Sequence, residues 1–172
     1  MNFKLAYFLM VFTIGLAVEF PARAIDGPAE NVKAAMQFLK SNAAALGAPS
    51  TKGEEAVVGK NAPALYFGET KMNNNFELVD EVQKEKAGTA TIFTKSGEEF
   101  VRVATNVKKD DGSRAIGTLL DPKGKAFAAI AKGESFYGEV QILGKPYVAG
   151  YEPIRDASNK IIGIFYVGYP KM

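Results

Sequence analysis

The sequence predicts an α+β fold in which an antiparallel sheet of about five strands carries a long N-terminal helix and short covering helices. Three patterns lead to this prediction. Apolar residues recur at helical spacing early in the chain, β-branched and aromatic runs dominate after residue 88, and short turns join the last three runs. Runs joined by short turns pair as antiparallel neighbours, and an amphipathic helix buries its apolar stripe against such a sheet.

The first 24 residues have the pattern of a secretory signal peptide. Lys4 provides the positive start, Leu5 to Val18 is an unbroken apolar run, and Ala22-Arg23-Ala24 fits the small-x-small cleavage pattern. The apolar run has 14 residues, fewer than the ~20 that a helix needs to cross a bilayer. We therefore expect cleavage before Ile25, one domain over residues 25–172, and a periplasmic or secreted protein without a retained membrane span.

The first half of the mature chain contains the long helix and a stretch of weak pattern. Pro28 stands at a favoured first helical position, apolar residues follow at spacings of three and four up to Leu46, and Gly47 ends the helix. The stretch from Ala48 to Asn75 is rich in Gly, Pro, Lys and Asn. We expect irregular structure there, with only short strands around residues 57–58 and 64–67.

The second half carries the sheet and the two covering helices. Apolar residues on one face predict helices over residues 76–86 and 123–131, each with a glycine just beyond its end. Five runs with strand composition are separated by turn residues. The predicted strands cover residues 89–94, 100–107, 136–143, 147–154 and 161–169.

The composition restricts the chemistry that the protein can perform. The chain has no His and no Cys, so imidazole and thiolate catalysis, haem held by His or attached through Cys, and the usual transition-metal ligands are absent. The formal net charge is +2 and no long basic run occurs, which argues against nucleic acid as a partner. We expect no enzyme activity, no cofactor and no metal site.

Six segments carry a resemblance to a known family. They are ALYFGET, NNFELVDEV, GTATIF, EEFVRVATNVKKDDGSRAIGTLLDP, SFYGEVQILGKPYVAGYEPIRD and IIGIFYVGYP. Their order from Leu65 to Gly168 resembles the Cache 3/Cache 2 fusion family of extracytoplasmic sensor domains, whose core is PAS-like. The resemblance implies a single Cache domain that binds a small metabolite, often a short carboxylate, between the sheet and its covering helix and loops.

Relatives of this type commonly sit between two membrane spans of a chemoreceptor or a histidine kinase. The present sequence departs from that plan, because its first apolar segment is cleavable and no second spanning segment follows. We therefore expect a stand-alone secreted module that does not itself signal across the membrane.

Arg102 is the leading candidate for a ligand-binding residue. It stands inside an apolar strand, where alternation puts it on one face with Phe100 and Ala104. The planar guanidinium fork suits a carboxylate bidentately, so the acid group of a ligand could neutralise it. The alternatives are an ion pair with Glu139 or Glu152, or an exposed strand edge.

Seven further residues are candidates to line the site. Tyrosines combine an apolar ring with a hydroxyl, threonine offers a hydroxyl on the face opposite Arg102, and the family resemblance puts a second arginine on a pocket-lining loop. Core packing or solvent exposure is the alternative for each. The candidates are Tyr137, Tyr147, Tyr151, Arg114, Thr105, Phe93 and Leu120.

Two functions remain open from the sequence. The first is a non-catalytic, chemotaxis-related sensor for a small organic acid of the acetate, pyruvate, lactate or propionate type, whose occupancy a membrane-bound receptor or kinase would read. The second is an envelope structural or interaction protein with a filled, ligand-free PAS-like core. A homodimer through the N-terminal helix is compatible with both.

The leader generates the first prediction. Protein extracted from the cell envelope should lack residues 1–24, because Ala22-Arg23-Ala24 fits the signal peptidase pattern. Intact-mass spectrometry measures this directly. Full-length chain recovered from the membrane fraction would contradict both cleavage and export.

Overall fold

The computed structural model describes residues 28–171, so the predicted signal peptide and its cleavage site lie outside the described residues. The described chain forms three helices and eight strands, and the predicted α+β class is confirmed. The elements are α1 (Pro28–Leu46), β1 (Pro49–Val57), β2 (Lys60–Phe67), β3 (Thr70–Lys71), α2 (Glu77–Lys86), β4 (Thr89–Ser96), β5 (Glu99–Thr105), α3 (Lys125–Ala131), β6 (Phe136–Ile142), β7 (Lys145–Arg155) and β8 (Ile161–Pro170).

The larger sheet has five antiparallel strands in the order β5-β4-β8-β7-β6. This sheet is the one predicted, and its strands begin and end within a few residues of the expected positions. The last three strands form a meander, and β8 returns to pair with β4 at the centre of the sheet. The edge strands are therefore β5 and β6.

The stretch from Ala48 to Asn75 was expected to be irregular apart from short strands around residues 57–58 and 64–67. The second of these lies within β2, but the prediction of irregular structure was wrong. It forms a second antiparallel sheet in the order β1-β2-β3. Strand β1 is mostly exposed and contains Lys, Glu and Gly, so it lacks the usual strand composition. The β1–β2 turn uses Val58 and Gly59 with φ of 38° and 76°. A β-branched residue at positive φ is rare, so no ordinary turn signal marks this hairpin.

Two apolar clusters pack on opposite faces of the five-stranded sheet. Neighbouring residues on a strand point to opposite faces, and Ile92 belongs to the first cluster while Phe93 belongs to the second. Helices α1 and α2 and strand β2 cover the first face. Helix α3 and the loop before it cover the second face, which contains Tyr151 and Tyr166.

A bulge in β5 changes which residues share a face. Phe93 pairs with Arg102, whereas Ile92 pairs with Ala104, so one extra residue lies between the two pairs on β5. Arg102 shares the second face with Phe100, as the strand alternation predicts. The predictions for Ala104 and Thr105 were wrong, because beyond the bulge Ala104 turns to the first cluster and Thr105 to the face of Arg102.

Two glycines allow the end of α1 to approach the smaller sheet. Gly47 follows the helix with φ of +129°, and a Cβ atom there would lie 2.6 Å from the Cα of Gly68. Gly68 itself has φ of +58°, and a Cβ atom on it would collide with the carbonyl oxygen of Leu46. The two backbones touch because neither position carries a side chain.

This contact generates the second prediction. Gly68→Ala should lower the free energy of unfolding by more than Gly53→Ala, because Gly53 has a similar φ of +64° but no atom within 4 Å of its Cβ position. Both variants carry the left-handed backbone cost of ~1–2 kcal/mol, and only Gly68→Ala adds the clash. Thermal unfolding measures the difference, at about 2–4 °C per kcal/mol. Equal melting temperatures for the two variants would contradict the close contact.

Candidate functional site

A cavity of about 630 Å³ opens on the second face of the sheet. Its lining comes from β5, the loop that leads into α3, the first turn of α3, and the β6–β7 hairpin. Five of the lining residues are buried, and together they form its inner wall. They are Arg102, Leu120, Ala126, Ile142 and Tyr151.

Arg102 is a buried cation without a counter-ion among residues 28–171. Arg102 is only 5% exposed, and its guanidinium carbon lies 5.1 Å from the ring centroid of Phe93. Nη1 donates to Oγ1 of Thr118 at 2.6 Å, whereas Nε is buried without an acceptor. No carboxylate of residues 28–171 lies within 4 Å of this guanidinium. Burial lowers the pKa of Arg102, with Tyr166 and Tyr151 opposing that effect.

The two glutamates considered as ion-pair partners of Arg102 bind other groups. Glu139 accepts from Nζ of Lys171 at 2.6 Å. Glu152 accepts from Nζ of Lys40 at 2.5 Å and from the hydroxyl of Tyr137 at 2.5 Å. Arg102 therefore has neither of these ion pairs, and its burial also excludes the exposed-edge alternative.

The segment 117–120 holds Arg102 from the side. It runs along the outer edge of β5, where the Arg102 amide donates to the Thr118 carbonyl at 3.0 Å and the Gly117 amide donates to the Arg102 carbonyl at 2.9 Å. The Thr118 hydroxyl donates to the Ala115 carbonyl at 2.8 Å while it accepts from Arg102. One side of the guanidinium is thus fixed, and within the described chain Nε and Nη2 have no hydrogen-bond acceptor.

Two buried tyrosines lie near the guanidinium. The rings of Tyr151 and Tyr166 have centroids 5.0 Å apart, and burial raises the pKa of both phenols. The Tyr166 hydroxyl lies 3.1 Å from Oγ1 of Thr89. The Tyr151 hydroxyl makes no hydrogen bond to a described residue, and Tyr151 lines the cavity. A phenol with a raised pKa stays protonated at neutral pH, so Tyr151 can donate to an anion there.

Arg114, the second candidate arginine, does not line the cavity. Its guanidinium forms a bidentate pair with Asp80 of α2, at 2.7 and 2.8 Å, and lies 4.3 Å from the ring centroid of Phe76. It also donates to the Thr105 carbonyl at 2.8 Å. This pair ties the loop after β5 to α2.

The structure brings only part of the predicted set together. Arg102, Tyr151 and Leu120 line the cavity, and Phe93 lies beneath the guanidinium. Tyr137 lies on the opposite face, where its ring covers Gly150 beside α1.

The two remaining candidates lie on the cavity's side of the sheet but do not line it. Tyr147 packs against the second cluster. The Thr105 hydroxyl lies 2.6 Å from that of Thr91.

Sequence reasoning missed three lining residues that complete the inner wall and its rim. Ala126 and Ile142 read as ordinary apolar residues of a helix and a strand, so no sequence signal distinguishes them. Thr118 follows Gly117, whose φ of +78° marks a turn, but the turn alone does not show that Thr118 returns to Arg102.

No group of three or more acidic side chains within residues 28–171 is arranged to hold a metal ion. In the described part of the chain, no helix combines the length and the apolar character that spanning a membrane requires.

Comparison with known proteins identifies one matching family. The family model described as the Cache 3/Cache 2 fusion domain matches residues 26–172. Among solved structures, the crystal structure of the E. coli DcuS sensor domain is similar, with a TM-score of 0.40 and 18% sequence identity. The match covers 55% of this chain and 64% of that chain. A search of curated proteins found no match.

The two arginines generate the third prediction. Arg102→Met should leave the melting temperature of the ligand-free protein unchanged or raise it, because it removes a buried charge without a counter-ion. Arg114→Met should lower the stability by about 1–2 kcal/mol, because it breaks a bidentate ion pair that is partly exposed. Thermal unfolding of both variants in ligand-free buffer tests the contrast. If Arg102→Met lost more stability than Arg114→Met, Arg102 would be a structural residue.

Proposed function

The chain belongs to the Cache 3/Cache 2 fusion domain family, and from this premise we propose that it binds a small organic carboxylate at Arg102. Cache domains are extracytoplasmic sensor domains and are generally non-catalytic ligand-binding modules. The cavity on the second face of the sheet is the site that we propose for the ligand.

The observation that carries the proposal is the buried guanidinium of Arg102, which has no carboxylate partner among residues 28–171. A buried ion without a counter-ion costs several kcal/mol after relaxation, so a protein rarely retains one without a function. Arg102 also faces a cavity instead of solid core. A carboxylate ligand would supply the missing negative charge and the acceptor that Nε lacks.

The free edge of the guanidinium suggests how the acid group is held. Thr118 occupies Nη1, which leaves Nη2 and Nε for the two oxygens of a carboxylate. Nε is buried, so the bidentate arrangement requires a small side-chain movement that opens Nε to the cavity. The Tyr151 hydroxyl is available as a further donor. The buried wall offers donors and apolar surface, and it has no carboxylate that could act as a general base.

The same site favours ligand binding over the interaction protein with a filled core. A filled core would leave no cavity beside Arg102 and would neutralise the cation internally, and neither is the case within residues 28–171. The short acids that the family resemblance implies are of the acetate, pyruvate, lactate and propionate type. We propose that the mature protein is periplasmic or secreted and that a membrane-bound receptor or kinase reads its occupancy. We also propose that two copies pair through α1.

The fourth prediction tests the role of Arg102. At about 100 times its dissociation constant, an acid that binds only the folded protein adds about 2.7 kcal/mol, or roughly 5–10 °C in melting temperature for a chain of this size. Arg102→Lys keeps the charge but loses the planar guanidinium fork. At the same acid concentration, the ligand-induced rise in melting temperature should therefore shrink to a small fraction of its value in the unmodified protein. A thermal-shift screen of the four acids above measures it.

Arg114→Lys is the matched control for that experiment. It should lower the melting temperature of the ligand-free protein, because it weakens the pair with Asp80, and it should keep the ligand-induced rise. If Arg102→Lys retained the full rise while Arg114→Lys lost it, the acid-binding role would pass to Arg114.

A further inference from the structure

The polar and apolar lining residues of the cavity are segregated by depth. Of the five buried lining residues, three are aliphatic, and the only polar groups are the Arg102 guanidinium and the Tyr151 hydroxyl. The other charged lining residues are all exposed at the mouth: Asp121, Lys123, Lys125 and Glu139. A ligand that reaches Arg102 therefore passes a polar rim and rests against an apolar wall.

The size of the cavity bears on the size of the ligand. Its volume of about 630 Å³ lies within the ~300–1,000 Å³ typical of small-molecule sites. Acetate or propionate on Arg102 would fill a small part of this space and would leave Leu120, Ala126 and Ile142 facing water. A longer apolar body would cover these side chains and gain the free energy of burying them.

The buried wall also excludes one class of acid. An α-amino acid brings an ammonium group next to its carboxylate, and that group needs acceptors or a negative charge. The inner wall offers two donors, Arg102 and Tyr151, and no buried carboxylate. Placed beside the Arg102 cation, the ammonium would be repelled, and this wall would offer it only the neutral Tyr151 hydroxyl as an acceptor.

We propose that the ligand is a monocarboxylate with an unbranched or aromatic apolar body of about four or more carbons and without an ammonium group. This inference rests on the proposed function, because it takes the acid group to be held by Arg102. The apolar body packs against Leu120, Ala126 and Ile142. Medium-chain fatty acids and aryl-substituted short acids belong to this class.

A chain-length series measured by isothermal titration calorimetry tests the proposal. Each methylene buried against the wall should tighten binding about fourfold, so hexanoate should bind roughly 60-fold more tightly than propionate. Norleucine, which is hexanoate with an α-ammonium group, should bind at least tenfold more weakly than hexanoate. A tenfold loss corresponds to about 1.4 kcal/mol of binding free energy. Hexanamide, which lacks the charge, should bind far more weakly than hexanoate.

A cavity-filling variant provides the structural control. Ala126 is 3% exposed and lines the inner wall, so Ala126→Leu places a larger side chain where the apolar body would lie. Propionate should bind this variant within about threefold of the unmodified protein, whereas hexanoate should lose most of its advantage. In the same series, Arg102→Lys should bind every acid more weakly than the unmodified protein does.

The outcomes separate the two proposals. Propionate binding as tightly as hexanoate, with both acids lost in Arg102→Lys, would overturn the apolar-body inference and leave the Arg102 site intact. Hexanamide binding as tightly as hexanoate, or no acid binding at all, would overturn the proposed function. Norleucine equal to hexanoate would overturn the exclusion of ammonium groups.

Discussion

The outer edge of β5 is the constraint on which the candidate site depends. An edge strand presents backbone groups that must be paired or solvated, and here they face a buried region. The segment 117–120 satisfies this edge through backbone hydrogen bonds at Phe100 and Arg102. The same pairing puts the Thr118 hydroxyl beside the guanidinium and brings Leu120 into the cavity wall. One requirement of the backbone thus builds one side of the site.

The two arginines show how environment separates residues of the same type. Both stack on a phenylalanine ring, at 5.1 Å for Arg102 and 4.3 Å for Arg114. Arg114 lies at a half-exposed position where Asp80 of α2 meets its charge in the bidentate arrangement. Arg102 lies deeper and donates to the neutral hydroxyl of Thr118, while its buried Nε has no acceptor in the described chain. Strand β5 therefore carries a buried cation open to an anionic ligand, and the loop after β5 carries an arginine whose ion pair ties that loop to α2.

The sequence predicted the regular elements of the larger sheet well, because each has a strong local pattern. The helix that begins at Pro28 shows apolar spacing, and the five strands show β-branched and aromatic composition between turn residues. The smaller sheet could not be predicted in the same way. Strand β1 is largely exposed, and its turn uses Val58 at positive φ, so its pairing depends on β2 and not on local preference. The bulge in β5 was equally invisible, since an extra residue leaves no mark in composition.

By itself the sequence determined the α+β class, the absence of His and Cys chemistry, and the presence of an arginine inside an apolar strand. These properties follow from composition and local periodicity. Tertiary structure alone decided whether Arg102 had a counter-ion, which tyrosine faced it, and which residues formed the wall. Glu139 and Glu152 were plausible partners in the sequence, but contacts with distant Lys171 and Lys40 engage them. The pairing of a charge depends on which groups the fold brings within a few ångströms, and that distance is set by packing between elements far apart in the chain.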